Sequence, residues 1–128
     1  MQEITIPHIS EMLLRLTLSE AHNLSSYVIQ TILNGESNYS VSNLLDYLHA
    51  CNRQLEIKDV MDESYIIKDV HEAHDTILLL VDKYKVKISH MNEAMGVIYT
   101  PASEGKTHLS IKTFIAILNY FKCSISFT

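Results

Sequence analysis

Apolar residues recur at intervals of three and four along most of the chain, a spacing typical of helices that bury one face. The clearest runs follow Ser40 and Ser110, which are of the type that caps a helix N-terminus. They are Val41, Leu44, Leu45 and Leu48 in one run, and Ile111, Phe114, Ile115 and Leu118 in the other. Behind each run the pattern changes to strict alternation, at residues 54–57 and 124–127, which predicts a short half-buried strand.

The two runs belong to a repeat, because residues 34–57 align with residues 104–127 without a gap. Gly35 and Gly105 fall on each other near the start of the two copies. A glycine there can end a preceding helix by adopting the left-handed conformation. The repeat therefore predicts the same capped helix and strand twice.

A helix-turn-helix is predicted ahead of each repeated stretch. In the first copy, Thr17–Glu20 fits a capping box, Asn23–Leu24 fits a turn, and residues 26–33 fit a second helix. The second copy follows the same pattern with Gly96 in its turn, but it is shorter before the closing glycine and contains Pro101. Its second helix is therefore predicted to be a single turn or to begin at the proline.

Two further stretches complete the prediction. Residues 62–84 carry an apolar helical stripe, which predicts one long helix joining the copies. The alternation in Gln2–Ile6 is stopped by Pro7, so this segment is predicted to be a short strand or an arm that pairs with a repeat-ending strand. Helical spacing then runs from Ile9 to Leu16.

The predicted fold is all-α, with two tandem helix-turn-helix units, residues 1–60 and 61–128, joined by a long helix. Short β-strands end each unit. Because Leu55–Ile57 and Ile125–Phe127 are equivalent strands, they could pair inside the chain as an internal pseudo-dimer, or with a second chain in a homodimer.

The composition fits a packed globular protein, since 47% of residues are hydrophobic and there are only three glycines and two prolines. Neither end shows a basic segment followed by an apolar run, and no apolar run approaches the length of a membrane span. We therefore expect a soluble, cytoplasmic protein that does not contact a membrane. The two cysteines lack the spacing of metal ligands.

Charge is distributed unevenly. Residues 1–64 hold nine Asp and Glu against three Lys and Arg, whereas residues 65–128 hold six against seven. DNA-binding proteins draw much of their affinity from neutralising phosphates, so DNA contact is expected to rely on the second half. The acidic first half would suit a basic protein partner.

The sequence offers little catalytic chemistry. It contains no glycine-rich phosphate loop, nucleophile elbow or recognisable acid–base pair, so an enzyme is not expected. His71 and His74 would share one face of a helix, but no third strong ligand lies at a suitable spacing. Neither a metal nor another cofactor is predicted.

These motifs resemble the lambda-repressor-like (XRE/Cro-type) helix-turn-helix superfamily, and the second copy is most similar to addiction-module antidote proteins. The similarity runs through Ser89–Gly96, Tyr99, Ser103–Gly105 and Ser110–Leu118, and the first copy follows the pattern from Thr17 to Ile57. The resemblance implies a cytoplasmic DNA-binding regulator of bacterial or phage origin, often dimeric.

We therefore predict a transcriptional regulator, a repressor or an antitoxin-like protein, that binds double-stranded DNA. The side chains predicted to contact DNA are Ser26, Tyr27, Gln30, Thr31 and Asn34 in the first unit, and Tyr99, Thr100, Lys106, Thr107, His108 and Lys112 in the second. Those predicted to bind phosphates are Lys83, Lys85 and Lys87. The alternative is a phage or mobile-element inhibitor (anti-CRISPR-like or another anti-defence protein), or an antitoxin, that keeps the fold and binds a protein through its acidic first unit.

Overall fold

Nine helices and strands make up the part of the chain that the computed structural model describes, residues 3–101 and 108–128. In chain order they are α1 (Ile6–Leu14), α2 (Ser26–Leu33), α3 (Val41–Ala50), β1 (Leu55–Lys58), β2 (Ser64–Ile67), α4 (Val70–Lys83), α5 (Ile88–Met95), α6 (Ile111–Tyr120) and β3 (Ser124–Phe127). Leu55, Ile57 and Ile67 on one face of the sheet are fully buried in a core that they share with the inner faces of the helices.

Three of the helices begin where the sequence predicts. Ser25, Ser40 and Ser110 each accept a hydrogen bond from the N–H of the third residue after them, at the starts of α2, α3 and α6. At Ser40 the Asn43 Oδ1 also accepts the Ser40 N–H, which completes a capping box. The local cap signals therefore predicted the starts of these three helices correctly.

The prediction of an all-α protein is wrong, because the structure is mixed and contains a three-stranded antiparallel sheet in the order β2-β1-β3. The strand β2 lies within residues 62–84, which the sequence pattern assigned to one long helix. Its apolar residues fit a helical stripe, but β1 offers a strand edge with which all four residues of β2 pair. The helix α4 therefore begins only at Val70, where Asp69 accepts the Glu72 N–H at 2.8 Å.

The helix predicted to begin at Thr17 is also absent, so the helix-turn-helix predicted in the first copy lacks its first helix and only its second helix, α2, is formed. Residues 15–25, all of which the structure describes, form neither helix nor strand. The Ser19 N–H donates to the Ala50 carbonyl at 2.9 Å, and the Ser19 hydroxyl accepts the Ala21 N–H. This tertiary hydrogen bond to the end of α3 replaces the local capping box.

The N-terminal arm is not a strand, because Thr5 caps α1 and Pro7 lies in its first turn. Ile4 is nevertheless held as a strand residue would be. Its N–H donates to Asn119 Oδ1 and its carbonyl accepts from Asn119 Nδ2, both at 2.8 Å. The side chain of Asn119 therefore fixes the arm against α6.

Replacing Asn119 by alanine is expected to lower the free energy of unfolding by about 1–3 kcal/mol, because both hydrogen bonds to the buried Ile4 are lost at once. Urea unfolding followed by circular dichroism measures the change. Ser124→Ala, at an exposed position of β3, is the control and should change the free energy by less than about 0.5 kcal/mol. Equal effects of the two substitutions would contradict the role given to Asn119.

The two repeat copies face each other across an approximate two-fold axis. Ser40 and Ser110 form an antiparallel bridge with each other. Its hydrogen bonds are Val41 N–H to the Leu109 carbonyl (2.8 Å) and Ile111 N–H to the Tyr39 carbonyl (3.1 Å). The equivalent strands β1 and β3 also pair inside the chain, with Leu55 opposite Phe127 and Ile57 opposite Ile125. If each residue is replaced by its equivalent in the other copy, every one of these pairs is converted into another of them or into itself. The two repeats therefore contribute equivalent residues to the interface between them.

The strand β1 belongs to the predicted first unit, residues 1–60, whereas β2 and β3 belong to the predicted second unit, residues 61–128. The boundary between these units falls in the β1–β2 turn. Within residues 3–101 and 108–128, none of the helices has the length and apolar character needed to cross a membrane.

Candidate nucleic-acid interface

The outer face of α2 and the turn after it carry four of the DNA-contacting residues predicted in the first unit. Ser26, Tyr27, Gln30 and Asn34 are all exposed, and Tyr27 keeps 70% of its surface in solvent. Their spacing of about one helical turn places them on one side. The Tyr27 hydroxyl accepts a hydrogen bond from Asn38 Nδ2 at 3.3 Å. The structure therefore brings these polar side chains together on one surface.

Positive charge is missing from the sequence around this surface. Between Arg15 and Arg53 the chain holds no Lys or Arg, whereas it holds Glu20, Glu36 and Asp46. The side chains of α2 can hydrogen-bond to bases, but this stretch supplies no cation to neutralise a phosphate.

Two predicted contact residues are buried. Thr31 is 2% exposed, and its hydroxyl donates to the Tyr27 carbonyl at 2.8 Å. Tyr99 is equally buried, and its hydroxyl lies 2.7 Å from Nδ1 of the buried His74, against which its ring stacks. Burial and the nearby charge of Asp75 raise the pKa of Tyr99 to about 12. Both hydroxyls are therefore engaged inside the protein.

Tyr99 anchors the segment that follows α5. The Asn92 side chain holds its backbone, with Oδ1 accepting the Tyr99 N–H at 2.9 Å and Nδ2 donating to the Tyr99 carbonyl at 3.2 Å. Between these two residues Gly96 ends α5 in the left-handed conformation, with φ of 71°. The turn after α5 is therefore held by two contacts of Tyr99, one with His74 of α4 and one with Asn92 of α5.

Residues 102–107 are outside the described part of the chain. They include two of the predicted DNA contacts, Lys106 and Thr107, and also Ser103–Gly105 of the resemblance. The remaining predicted contacts of the second unit are exposed to solvent: Thr100, His108 and Lys112.

Lys83, the first of the three lysines predicted to bind phosphate, is held by two carboxylates. Its Nζ lies 2.6 Å from Asp59 Oδ2 and 2.6 Å from Glu63 Oε2. Asp59 Oδ2 also accepts the Tyr65 hydroxyl, and its Oδ1 accepts the N–H groups of Met61 and Glu63. We call these residues the Asp59–Lys83 cluster. The cluster connects the β1–β2 turn to the end of α4. Because the Lys83 ammonium is bound to two carboxylates, it is already paired inside the protein.

The cluster shifts the pKa values of its members. Burial acts to raise the pKa of Asp59, but hydrogen bonds from Lys83, Tyr65 and two backbone N–H groups hold it well below its usual range. Hydrogen bonds to Asp59 and Glu63 hold the pKa of Lys83 above its usual range. Burial and the hydrogen bond to Asp59 raise the pKa of Tyr65 to about 12. The Asp59–Lys83 pair is therefore charged throughout the physiological pH range.

Lys85 and Lys87, in contrast, are exposed in the turn between α4 and α5. Lys85 has a φ of 54°, which makes the turn tight. Lys87 is the N-cap residue of α5, and within residues 3–101 and 108–128 no side chain caps the first N–H groups of that helix. Each of the other five described helices has a side-chain cap. We call this feature the basic turn.

The predicted residues therefore fall into separate groups: the polar face of α2, the basic turn, and the residues around 102–107. In the described ranges no group of His, Cys, Asp and Glu could hold a metal, and His71 is exposed whereas His74 is buried. Sequence reasoning missed Asp59 and Asn92. Both hydrogen-bond across turns, and a polar residue just after a strand or within a short helix is the only signal that the sequence offered.

Comparison with known proteins finds no match to this chain among protein-family models, curated proteins or solved structures.

Proposed function

We propose that the protein is a DNA-binding transcriptional regulator, a repressor or an antitoxin-like protein of the cytoplasm, whose second unit holds the DNA backbone. The observation that carries the proposal is the basic turn, in which Lys85 and Lys87 precede a helix without a side-chain cap. The N-terminus of a helix bears partial positive charge and directs its N–H groups towards an anion. Two exposed lysines beside it add the charge that phosphate contacts require.

In this proposal α5 is the helix that crosses the DNA backbone, and the segment after it would reach the major groove, although its described residues 97–101 form neither helix nor strand. The left-handed Gly96 makes the turn, and contacts with Asn92 and His74 hold Tyr99 in place after it. On this proposal Tyr99 positions the recognition segment without touching a base. The described side chains that this proposal assigns to DNA contact are Thr100 and His108, both exposed, whereas the predicted contacts Lys106 and Thr107 lie outside the described residues.

The polar face of α2 has a secondary part in this proposal. Tyr27, Gln30 and Asn34 are of types that hydrogen-bond to base edges or to phosphates. Residues 16–52 contain no Lys or Arg, so the stretch that forms this face supplies no cation of its own to neutralise a phosphate. It would contact DNA only after the basic turn has docked.

The same lack of Lys and Arg favours a second function, that of an antitoxin or an anti-defence inhibitor that binds a protein. An exposed Tyr27 beside Gln30 and Asn34 fits a protein interface, where Tyr supplies contact area and amides supply adaptable hydrogen bonds. The net acidic charge of residues 1–64 suits a basic partner, such as a protein that itself binds nucleic acid.

Fluorescence anisotropy with double-stranded DNA at about 50 and about 200 mM salt tests the first function. The wild-type protein should bind with strong salt dependence. Replacing Lys85 and Lys87 by glutamine should reduce the slope of log K against log salt by about 1.8, because about two phosphate contacts are lost. The affinity at the lower salt concentration should fall by about tenfold or more.

Lys122→Gln is the matched control, since Lys122 is also exposed and has a positive φ of 55° in a turn after a helix. It should leave both slope and affinity nearly unchanged. Absence of DNA binding at the lower salt concentration would refute the regulator and leave the protein-binding function. An equal loss in the control would show that charge alone, and not the basic turn, holds DNA.

A further inference from the structure

A depression of about 520 Å³ opens where the end of α3 meets the sheet. Its lining residues are His49, Asn52, Arg53, Gln54, Lys68 and Thr128. Two of them are always cationic, one is a histidine, two carry amides, and none has an acidic side chain. In a chain with a formal net charge of −5, this is a local concentration of positive charge.

The backbone fixes the position of these residues. Asn52 turns the chain after α3 with a φ of 58°, and the Arg53 N–H donates to the Leu48 carbonyl at 2.8 Å. Gln54 and Thr128 exchange two backbone hydrogen bonds of 2.9 Å, which extend the β1–β3 ladder by one pair. Lys68 lies directly after the last residue of β2. Segments from three parts of the sequence therefore converge on the depression.

The basic side chains of the depression have no acidic partner among the residues that the structure describes. The ion pairs found there both belong to Lys83. Asp46, the acidic residue nearest to His49 along α3, lines a neighbouring depression formed with residues 21–24. The Glu72 carboxylate accepts the Lys68 backbone N–H at 3.0 Å, and so serves the start of α4. Arg53 and Lys68 are thus exposed cations without an internal role.

We propose that this depression binds the phosphate group of an anionic ligand. The planar guanidinium of Arg53 can hold two phosphate oxygens at once, and the Lys68 ammonium adds a point charge. His49 and the amides of Asn52 and Gln54 can donate further hydrogen bonds. A volume of about 520 Å³ is that of a site for a small phosphorylated molecule such as a nucleotide. A phosphate of a nucleic-acid strand has the same chemistry.

This site is separate from the basic turn of the proposed function. Lys68 lies just before the N-terminus of α4, whereas Lys85 and Lys87 follow its C-terminus. The helix has 14 residues and is therefore about 20 Å long. One phosphate cannot bridge the two sites, so the inference stands or fails independently of DNA binding by the second unit.

Titration of the full chain with pyrophosphate at about 20 mM salt, followed by two-dimensional NMR, tests the site. The amide signals of residues 49–54 and 68 should shift and saturate. In Arg53→Gln/Lys68→Gln the affinity should fall by at least about tenfold, because two charge-assisted contacts are lost. Lys58→Gln/Lys122→Gln removes the same charge from exposed positions outside the depression and should change the affinity less than about twofold.

Two further probes, adenosine triphosphate and a short single-stranded oligonucleotide, distinguish the sources of the phosphate. Tighter binding of the nucleotide assigns the site to a small ligand, and tighter binding of the oligonucleotide assigns it to a strand, provided that Arg53→Gln/Lys68→Gln abolishes the preference. Lys85→Gln/Lys87→Gln should leave pyrophosphate binding intact. The proposal is overturned if pyrophosphate shows no saturable binding, or if the two double variants weaken it equally.

Discussion

Asp59→Ala is expected to lower the free energy of unfolding by about 3 kcal/mol. The substitution removes the acceptor for Lys83, for the Tyr65 hydroxyl and for two backbone N–H groups of the β1–β2 turn. Removal of one member of a buried ion pair costs about 3–5 kcal/mol. The lower end applies because the Lys83 side chain keeps 23% of its surface in solvent, where water replaces part of the lost interaction.

Urea unfolding of the full chain measures this effect, and Glu63→Ala is the matched control. Glu63 contacts the same ammonium at the same distance of 2.6 Å, but its side chain is 58% exposed. Exposed pairs contribute little, so the control should lose less than about 1 kcal/mol. Similar losses from both substitutions would mean that burial of Asp59 is not what makes its ion pair important.

The same residue sets a pH dependence. Because the folded-state pKa of Asp59 lies below its unfolded value of about 4, its contribution is fully present above that pH and is lost as the pH falls through the folded-state pKa. The stability of the wild-type protein should therefore decline more steeply below about pH 4 than that of Asp59→Asn, which has no carboxylate to protonate. Parallel acid profiles would contradict this assignment.

Phe114→Ala is expected to have the largest effect, about 3–5 kcal/mol, because it empties a large volume from a close-packed core. Phe114 and its repeat equivalent Leu44 are 1% and 0% exposed, on the helices α6 and α3, which pack on each other. Leu44→Ala should therefore cost a comparable amount, about 2–5 kcal/mol. Lys112→Ala, exposed on α6, should change stability by less than about 0.5 kcal/mol.

The shape of the unfolding curve adds a test of how the two repeats fold. Because β1 lies between β2 and β3, and α3 packs on α6, we expect Phe114→Ala to shift a single transition measured by circular dichroism and by tyrosine fluorescence. Separate transitions by the two probes, with only one displaced by the substitution, would show that the repeats unfold as independent units.

Features encoded by near neighbours were predictable from the sequence. The serine caps of α2, α3 and α6 act within a single turn, and the alternation at residues 55–57 and 125–127 is complete in itself. The recurrence of the same pattern 70 residues later also identified the repeat. The repeat in turn predicted that β1 pairs with β3, either inside the chain or between two chains, and the structure shows the pairing inside the chain. Local patterns predict such features correctly where the tertiary contacts of the same residues favour the same structure.

Features that depend on a distant partner were not predictable. The stretch 64–67 could extend a helix, and it becomes a strand because the edge of β1 is available. Thr17–Glu20 resembles a helix start, but Ser19 binds the end of α3 instead. In the candidate interface, Thr31 and Tyr99 had the right residue types, and only the packing shows that they face inward. Residue type indicates what a side chain can bind, whereas its neighbours decide whether it is free to do so.

The pairing of β1 with β3 has a consequence for how the protein is made. A ribosome synthesises the hairpin of β1 and β2 well before residues 124–127, so one edge of β1 remains open while α4, α5 and α6 are being made. An open edge next to the apolar Leu55 and Ile57 is a template for pairing with another nascent chain. Pairing of β3 with this edge is therefore expected to lower the tendency of the newly made protein to aggregate, as well as to complete the sheet.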